Sequence, residues 1–407
     1  VLPAERARAA IRRLLAGVTS RLPCSSAAAF DGRGRCELEL SQSGMLSAYR
    51  LTDPDRELGQ ASSLRDQGQR LTQRARVRLP VLDWLDLRPG TSIELGRLQS
   101  DVMQRRALSA ERYVGRLELS AMALPEGPLT VGATGAVECH GTDATGAAVP
   151  SDPGCDTLAP VGRLGARWQL VEPLSVFANL GRYVREPTLG ELYGTSSVVR
   201  GNPDLTAEQG LTVDVGSTAE GRAGPARGYA QLVGFARVAS DLIGYRRSSF
   251  SVIRPYNVGA ARVLGIESAV GGDLWGILHA SAAVTVLDPR DVSDDRQVVN
   301  DLLPFRARLV VAPQLEVAAP QGWSALALDR IALIARFLHR SSRVADPAGL
   351  VVLAEQNLLD LEVAARLHDE TLRVRAGVEN LLDQQTSDLV GYPLPGRSAH
   401  ATMEAWW

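Results

Sequence analysis

Apolar and polar residues alternate along most of the chain. Between Leu359 and His368 every second residue is apolar, and residues 279–286 and 372–379 follow the same rule. Because neighbouring side chains of a strand point to opposite faces, this period of two predicts β-strands with one apolar and one polar face. We count roughly sixteen such strands between Leu38 and Trp407, with uncertain ends.

The connections between the predicted strands alternate between short and long. An outer-membrane barrel has short turns on its periplasmic side and long loops outside. Since lipid cannot bond free backbone N–H and C=O groups, a sheet in a membrane has to close on itself. The pattern therefore predicts an all-β fold, a transmembrane antiparallel β-barrel with short periplasmic turns and long extracellular loops. The predicted short connections are 88–91, 124–129, 172–174, 271–274, 319–323 and 368–370, and the long ones are near 50–72, 103–112, 139–160, 186–209, 288–304, 338–352 and 380–397.

Composition excludes several classes of protein. The 407 residues are 45% hydrophobic and 22% charged, which is too apolar for a disordered chain. We find no run of about 18 apolar residues that would form a transmembrane helix. The formal net charge of −2 predicts no nucleic-acid partner. All 44 basic residues are arginine, which suits anion binding but is better attributed to a bias in the coding sequence.

Four cysteines form two pairs that are close in sequence. Cys24 and Cys36, and likewise Cys139 and Cys155, flank segments rich in Gly, Asp, Ser or Ala. Two local disulfide bonds in an oxidising compartment fit this spacing. There is no Cys-x-x-Cys motif and no Cys/His cluster, so we expect no metal site and no cofactor.

Two stretches depart from the barrel pattern. An Arg-rich amphipathic helix is predicted from Ala4 to Leu22, because apolar residues recur there at helical spacing: Ala7, Ile11, Leu14, Leu15 and Val18. Residues 1–37 are therefore left unassigned, before a barrel domain at 38–407. Residues 53–73 are polar and are predicted to form a mobile loop. The first residues lack the uninterrupted apolar core of a signal peptide and an initiator Met, so we expect the chain to be a piece of a longer one.

Four motifs follow one another in the second half of the chain. The segment SVFANLGRYVREPTLGELYG with GNPDLTAEQG is followed by YNVGAARVLGIE, by VENLLDQQT and by GYPLPGRS. With the final strand AHATMEAWW, they resemble the barrel of TonB-dependent outer-membrane receptors, whereas residues 1–160 carry only the alternating pattern. The matching positions are Arg185, Pro187, Glu191, Leu192, Asn202, Pro203, Leu205, Glu208, Asn257, Gly265, Glu267, Asn380, Leu381, Asp383, Pro395, Gly396, Arg397 and Trp407.

These motif residues also have local structural interpretations. Pro187 bars further strand pairing, and Asn202 with Pro203 initiates a turn. Asn380 and Asp383 can bond their own backbone and end a strand. We therefore predict that the motif residues mainly hold loop bases and strand ends.

The resemblance implies a barrel of about 22 strands filled by an N-terminal plug domain, with a short segment before the plug that pairs with the energising protein. We find neither the plug nor that segment in the sequence, and about six strands are missing from our count. The chain is therefore expected to be a partial barrel, about 16 of about 22 strands.

The resemblance also implies a function and partners. The expected function is energised uptake of a scarce nutrient, such as a ferric siderophore, haem, cobalamin or glycan, across the outer membrane of a Gram-negative bacterium. The expected partners are the TonB–ExbB–ExbD motor, outer-membrane lipid, the small nutrient ligand, and the barrel assembly machinery, which would read the C-terminal strand.

Aromatic and basic residues near the outer rim are the candidates for ligand contact, each with loop packing or interfacial placement as the alternative. Arg182, Arg306 and Arg308 are expected to face the lumen. The predicted contact residues are Tyr193, Arg200, Tyr245, Arg247, Tyr256 and Tyr392.

Three other functions remain open from the sequence. A plugless barrel acting as a passive porin, or a degenerate receptor, would need its first and last strands to pair. A soluble all-β binding protein would need the apolar strand faces to meet in a core. An enzyme is the least favoured, because we find no nucleophile elbow, metal cluster or phosphate-binding loop.

Overall fold

The computed structural model describes residues 8–24, 36–55, 63–101, 109–143, 155–194, 199–249, 252–294, 302–319, 328–368, 371–390 and 392–406. Nearly all of its regular structure is strand, with one short helix, α1 (Leu189–Tyr193). Among the described residues, no helix has the length and hydropathy needed to span a membrane. The strands are β1 (Arg8–Pro23), β2 (Glu37–Thr52), β3 (Ser63–Leu82), β4 (Leu85–Ser100), β5 (Ser109–Ala123), β6 (Leu129–Asp143), β7 (Thr157–Val171), β8 (Leu174–Arg185), β9 (Glu208–Ala223), β10 (Ala226–Ser249), β11 (Val252–Leu274), β12 (Leu278–Asp291), β13 (Leu309–Ala318), β14 (Leu328–Arg340), β15 (Arg343–Val344), β16 (Val352–Leu353), β17 (Gln356–Leu367), β18 (Leu372–Glu379), β19 (Ser387–Leu389), β20 (Tyr392–Pro393) and β21 (Ser398–Ala405).

Seventeen strands form one antiparallel sheet in which each strand pairs with the next along the chain. The strand β14 pairs with β17, β17 with β18 and β18 with β21, because β15–β16 and β19–β20 form two small hairpins inside long connections. Within the described residues, the outer edges of β1 and β21 do not pair with each other, so the sheet is not closed. The prediction of an all-β, antiparallel barrel sheet is confirmed.

Sixteen strands of the main sheet lie between β2 and the end of the chain, as the alternation predicts. The prediction for the N-terminus is wrong, because residues 8–23 form strand β1 and not an amphipathic helix. The pairing with β2 is continuous from Arg8 opposite Thr52 to Pro23 opposite Glu37. Such a ladder outweighs the weak preference that helical spacing expresses.

Some connections also differ from their predicted places. The connection predicted at 172–174 lies between β7 and β8, as expected. The one predicted at 368–370 begins at His368, and its other two residues lie outside the described ones. The predicted loop at 53–73 is shorter, because β3 already begins at Ser63. Residues 88–91 lie inside β4, and the turn is at Asp83 and Trp84 instead. The glycines at 271 and 272 likewise belong to β11, where the Tyr229 ring packs against Gly271 and the Arg227 carbonyl lies close to Gly272.

Register assigns the two faces of the sheet. On β9, Leu211, Val213 and Val215 lie opposite Arg182, Leu180 and Ala178 of β8. The same face is mainly apolar on β10 to β13, whereas β3 places Gln67, Gln69 and Gln73 on it. The other face carries the ion pairs, such as Arg76 with Glu118 at 2.6 Å, Arg330 with Glu316 at 2.9 Å and Arg336 with Glu362 at 3.3 Å. A membrane barrel has an apolar outer face and a polar lumen, so the apolar face is the outward one.

Tryptophans mark the short-turn end of the sheet, with Trp168 on the outward face and Trp406 on the lumen parity, where Arg373 lies over its ring. Trp84, Trp168, Trp275 and Trp406 all lie at or next to the short turns, and each is about half exposed or more. Indole rings favour the boundary between hydrocarbon and water. This end of the sheet therefore has the composition of a membrane interface. Trp407 lies outside the described residues.

Inward-facing rings lie flat against glycines on the neighbouring strand. Each ring and its glycine are directly opposite in register, and a Cβ added to the glycine would collide with the ring. In strands β8 to β11, each ring thus occupies the space that the absent glycine side chain leaves. The pairs are Phe177 with Gly216, Tyr183 with Gly210, Tyr229 with Gly271 and Phe235 with Gly265.

Gly265→Ala is expected to destabilise the protein by about 1–3 kcal/mol, because the new methyl group displaces the Phe235 ring. The matched control is Gly234→Ala, since a Cβ at Gly234 has nothing within 4 Å. Urea unfolding in detergent, followed by tryptophan fluorescence, measures the difference. Equal midpoints for the two variants would contradict the packing argument.

Candidate functional site

The connection between β8 and β9 begins with a short capped helix. Thr188 is the N-cap of α1, its hydroxyl accepts a hydrogen bond from the Glu191 N–H, and the Glu191 carboxylate accepts one from the Thr188 N–H at 2.8 Å. This reciprocal capping box satisfies donors that a helix start leaves free. Pro187, directly before the cap, has no backbone N–H to continue the ladder of β8. The local sequence therefore ends the strand and turns the chain.

Glu191 is buried and fully engaged. It accepts hydrogen bonds from Arg185 at 2.6 Å, from the Thr188 hydroxyl at 3.0 Å and from the Tyr245 hydroxyl at 3.1 Å. Burial alone would raise the pKa of this carboxyl, but the bonds from Thr188 and Arg185 outweigh burial and hold the pKa below its ordinary value. The ionised carboxylate thus fastens α1 to the ends of β8 and β10.

A second buried carboxylate, Glu208, lies at the start of β9. It pairs with Arg237 of β10, accepts hydrogen bonds from the Tyr183 hydroxyl at 2.8 Å and from the Ile243 N–H at 3.1 Å, and lies 3.9 Å from Arg185. Arg185 therefore joins the two carboxylates into one network. The Arg237 guanidinium also stacks on the Tyr183 ring, 4.7 Å from its centroid.

Two asparagines attach the second half of the connection to β11. The Asn202 amide donates to the Pro255 carbonyl at 3.0 Å and accepts from Arg254 at 3.0 Å. Asn257 bonds Thr206 in both directions, at 3.0 and 3.1 Å. These contacts join residues that are more than fifty positions apart in sequence. The motif residues thus fix the connection over the ends of β9 to β11.

The β8–β9 connection also contacts strand β5. The Arg112 guanidinium on β5 donates to the buried Pro187 carbonyl at 3.2 Å and lies 3.4 Å from His140. His140 bonds Glu138 at 3.1 Å, and Glu138 pairs with Arg116. All these side chains are on the lumen face. The β8–β9 connection therefore folds inward over the lumen mouth and is attached on both sides.

The motif near the C-terminus forms a turn of its own. Asn380 and Asp383 both have positive φ, 49° and 53°, and Asn380 bonds Gln384 in both directions at 3.0 Å. The Asp383 carboxylate accepts the Arg397 N–H at 2.8 Å, and the Leu381 N–H donates to the Leu359 carbonyl at 2.7 Å. These bonds set the position at which β21 enters the sheet.

The predicted contact residues lie at the long-connection end of the sheet. Tyr193 and Arg200 are in the β8–β9 connection, and Tyr245, Arg247 and Tyr256 are near the facing ends of β10 and β11. Tyr245 is part of the Glu191 network, and the Tyr256 ring has Arg246 over it at 5.1 Å. The side chain of Tyr392 lies outside the described part.

One lumen assignment is wrong. Arg182 shares a face with Leu180 and Val184 and lies opposite Leu211, so it belongs to the outward face. The apolar residues two positions away on either side already indicate this. Arg306, in contrast, lies close enough to Glu208 and Arg237 to interact with them electrostatically.

Residues outside the sequence motifs complete the polar network around the β8–β9 connection. Tyr183, Arg237 and Arg112 have polar contacts as extensive as those of the motif residues, but they come from three different strands. No local pattern brings them together. Thr188 could have been identified, since Thr-x-x-Glu is a capping-box sequence.

Glu191 gives a pH dependence of known sign. Because its folded-state pKa lies below the ordinary 4.5, ionisation stabilises the fold above pH 4.5, and this contribution is lost as pH falls through the folded-state pKa. Glu191→Gln should lower stability by about 1–2 kcal/mol at pH 7 and flatten the unfolding midpoint between pH 5 and pH 3. Glu126→Gln, at an exposed turn, is the control. Parallel pH curves for wild type and Glu191→Gln would contradict the assignment.

Comparison with known proteins agrees with this architecture. Residues 140–381 match the sequence model of the family "TonB dependent receptor-like, beta-barrel". Among solved structures, the copper transporter OprC is 15% identical with a TM-score of 0.70, covering 97% of this chain and 65% of that one. The siderophore receptor PirA from Acinetobacter baumannii is 13% identical with a TM-score of 0.65, covering 97% and 62%. The siderophore receptor PiuA from the same organism is 10% identical with a TM-score of 0.67, covering 99% and 65%. The chain thus spans less than two thirds of these structures, which share its fold.

Proposed function

Because this chain belongs to the TonB-dependent receptor-like β-barrel family, we propose that it is the C-terminal part of the barrel of an outer-membrane receptor. Such a receptor takes up a scarce nutrient by energised transport. The observation that carries this proposal is the network in which Arg185 joins the buried carboxylates of Glu191 and Glu208, which holds the β8–β9 connection over the lumen mouth. A connection fixed in this way would shape a binding mouth, and the family match favours a receptor over a passive pore.

The proposed substrate is a small metal-bearing nutrient, such as a ferric siderophore, haem or cobalamin. Three solved relatives are named for copper or siderophores, which supports a cargo of this kind. Its contacts would come from the aromatic and basic residues around the mouth: Tyr193, Arg200, Tyr245, Arg247, Tyr256 and Tyr392.

The proposed partners follow from the same assignment. Energy would come from the TonB–ExbB–ExbD motor acting on a plug domain encoded upstream, and the chain would perform no catalysis itself. Outer-membrane lipid would surround the apolar face, and β21 would present the assembly signal. Pairing of β1 with strands encoded upstream, and of those with β21, would complete the barrel, since β1 and β21 each use one edge among the described residues.

Uptake by cells that carry the whole gene with its upstream region tests the proposal. Iron-starved cells are given ferric enterobactin, haem, cyanocobalamin or copper, with and without a protonophore. We expect saturable uptake of one cargo that stops when the protonophore collapses the proton gradient. Uptake that is unsaturable and insensitive to the protonophore would favour the passive pore instead.

A further inference from the structure

The outward face of β2 and β3 carries glutamines at the depth where hydrocarbon is expected. A membrane-crossing strand needs about 9–11 residues. Counted from the end of the sheet that holds the short turns, this band covers residues 38–48 on β2 and 69–79 on β3, with Gln42 and Gln73 near the middle. The two glutamines lie directly opposite each other in register, and both are exposed.

Other parts of the outward face are different. On β10 the outward residues from Ala226 to Val238, and on β12 those from Leu278 to Val286, are all glycine, alanine, valine or leucine. Within the described part of the chain, neither Gln42 nor Gln73 has a hydrogen-bond partner. An amide that makes no hydrogen bond in hydrocarbon is costly. The outward face of β2 and β3 is therefore better suited to protein contact than to lipid.

Two pairs of like charges lie on the same face at its long-connection end. Arg50 is directly opposite Arg65 across β2–β3, and Glu111 is directly opposite Asp143 across β5–β6. Like charges at opposite positions of neighbouring strands repel and destabilise the pairing. On their strands, Arg50 and Glu111 each lie just beyond the band counted from the short-turn end, so the basic pair and the acidic pair are at similar depth.

Contacts within the chain compensate these charges only in part. The Asp101 carboxylate accepts the backbone N–H of Arg65 at 3.1 Å, and Arg97 pairs with Glu111 at 3.5 Å. Among the residues that the structure describes, none forms an ion pair with Arg50, which is exposed. A basic side and an acidic side thus flank β4 on one surface.

The surface between the two sides is indented. A hollow of about 370 Å³ is lined by Gln42 and Gln73 together with Val18, Leu40 and Ile93. A second hollow, of about 780 Å³, has a mixed apolar and charged lining that includes Leu46, Gln69, Leu71, Leu95, Glu111 and Asp143. Apolar groups in the middle with polar and charged groups around them are typical of protein interfaces.

We propose that a second copy of this chain covers the outward face of β2 to β5, in a dimer whose two copies cross the membrane in the same direction. A two-fold axis along the membrane normal, between β3 and β4, brings the two Gln73 amides together and places Arg50 of each copy near Glu111 of the other. An amide both donates and accepts, so the patch is complementary to itself. This proposal rests on the proposed function, because it requires the face to lie in a membrane.

Disulfide cross-linking tests the interface in outer membranes of cells that carry the whole gene with its upstream region. Leu71→Cys, on the outward face of β3, should give a cross-linked dimer on oxidation. The matched control, Leu232→Cys on the outward face of β10, should give at least fivefold less. Adding Gln42→Leu and Gln73→Leu should lower cross-linking through Leu71→Cys at least fivefold, whereas insertion is unchanged because leucine suits lipid.

Three results would overturn the proposal. Equal cross-linking through Leu71→Cys and Leu232→Cys would mean that copies meet at random. Undiminished cross-linking in the Gln42/Gln73 variant would mean that the amides do not hold the copies together. A cross-link from Leu71→Cys to a different protein would assign the face to another partner. A receptor that reaches the outer membrane but does not cross-link refutes only the dimer, whereas one that is absent from the outer-membrane fraction refutes the proposed function as well.

Discussion

Leu232→Arg is expected to destabilise the membrane-inserted protein by about 2–4 kcal/mol and to reduce its insertion. Leu232 lies in the middle of the outward run of β10, from Ala226 to Val238, and its side chain is 54% exposed. Its register partners are Ser217 on β9 and Ser268 on β11, so no carboxylate lies opposite to compensate a new charge. In hydrocarbon, an unpaired guanidinium at this depth has to distort the bilayer or the strand.

The adjacent residue provides the matched control. Gln231 is exposed on the lumen face of the same strand, opposite Thr218 and Ala269. Gln231→Arg adds the same charge one position away, into water, and should change stability by less than about 0.5 kcal/mol. Unfolding in lipid vesicles by guanidinium chloride measures both variants. Equal effects of Leu232→Arg and Gln231→Arg would show that the apolar face does not contact lipid and would favour the soluble all-β alternative.

The assignment of faces was predictable because it depends on a local rule. In β17, Leu361 and Val363 lie on one face and Glu362 on the other, as the alternation of apolar and polar residues predicts. The residues paired with them on β14 and β18 lie on the corresponding faces. The ends of strands depend instead on what lies opposite. Gly271 looks like a turn residue in sequence, but it continues β11 because Tyr229 covers it. Only register reveals such a partner.

The prediction of a helix at the N-terminus is wrong for a related reason. Ile11 and Leu15 have helical spacing, but in β1 they occupy one face of a strand whose ladder to β2 supplies the backbone bonds. In the candidate site, the sequence motifs single out Arg185, Glu191 and Glu208, and a mainly structural role for them stays a prediction. Their partners Tyr183, Arg237 and Tyr245 could not be, since the contacts span 25 to 54 positions in sequence.

Glu208→Ala is expected to cost about 3 kcal/mol in stability, at the low end for breaking a buried ion pair. The Glu208 side chain is 2% exposed, and its removal leaves Arg237, Tyr183 and the Ile243 N–H without their acceptor. Arg237 is 34% exposed, so water recovers part of its solvation and keeps the cost from being larger. Glu220→Gln, an exposed lumen residue of the same strand, should be near neutral.

A double variant distinguishes two causes of the destabilisation by Glu208→Ala: loss of the ion pair with Arg237, or only loss of side-chain volume at Glu208. If the cost arises from the uncompensated Arg237 charge, adding Arg237→Met to Glu208→Ala should restore about 1–2 kcal/mol, because an apolar pair removes the unpaired charge. If the cost comes only from a cavity at Glu208, the second change should add to the first. Chemical denaturation of the four forms, with Arg237→Met alone as the fourth, gives the coupling energy. A coupling energy near zero would mean that the network does not act as a unit, and the β8–β9 connection would then be held mainly by Glu191 and Asn202.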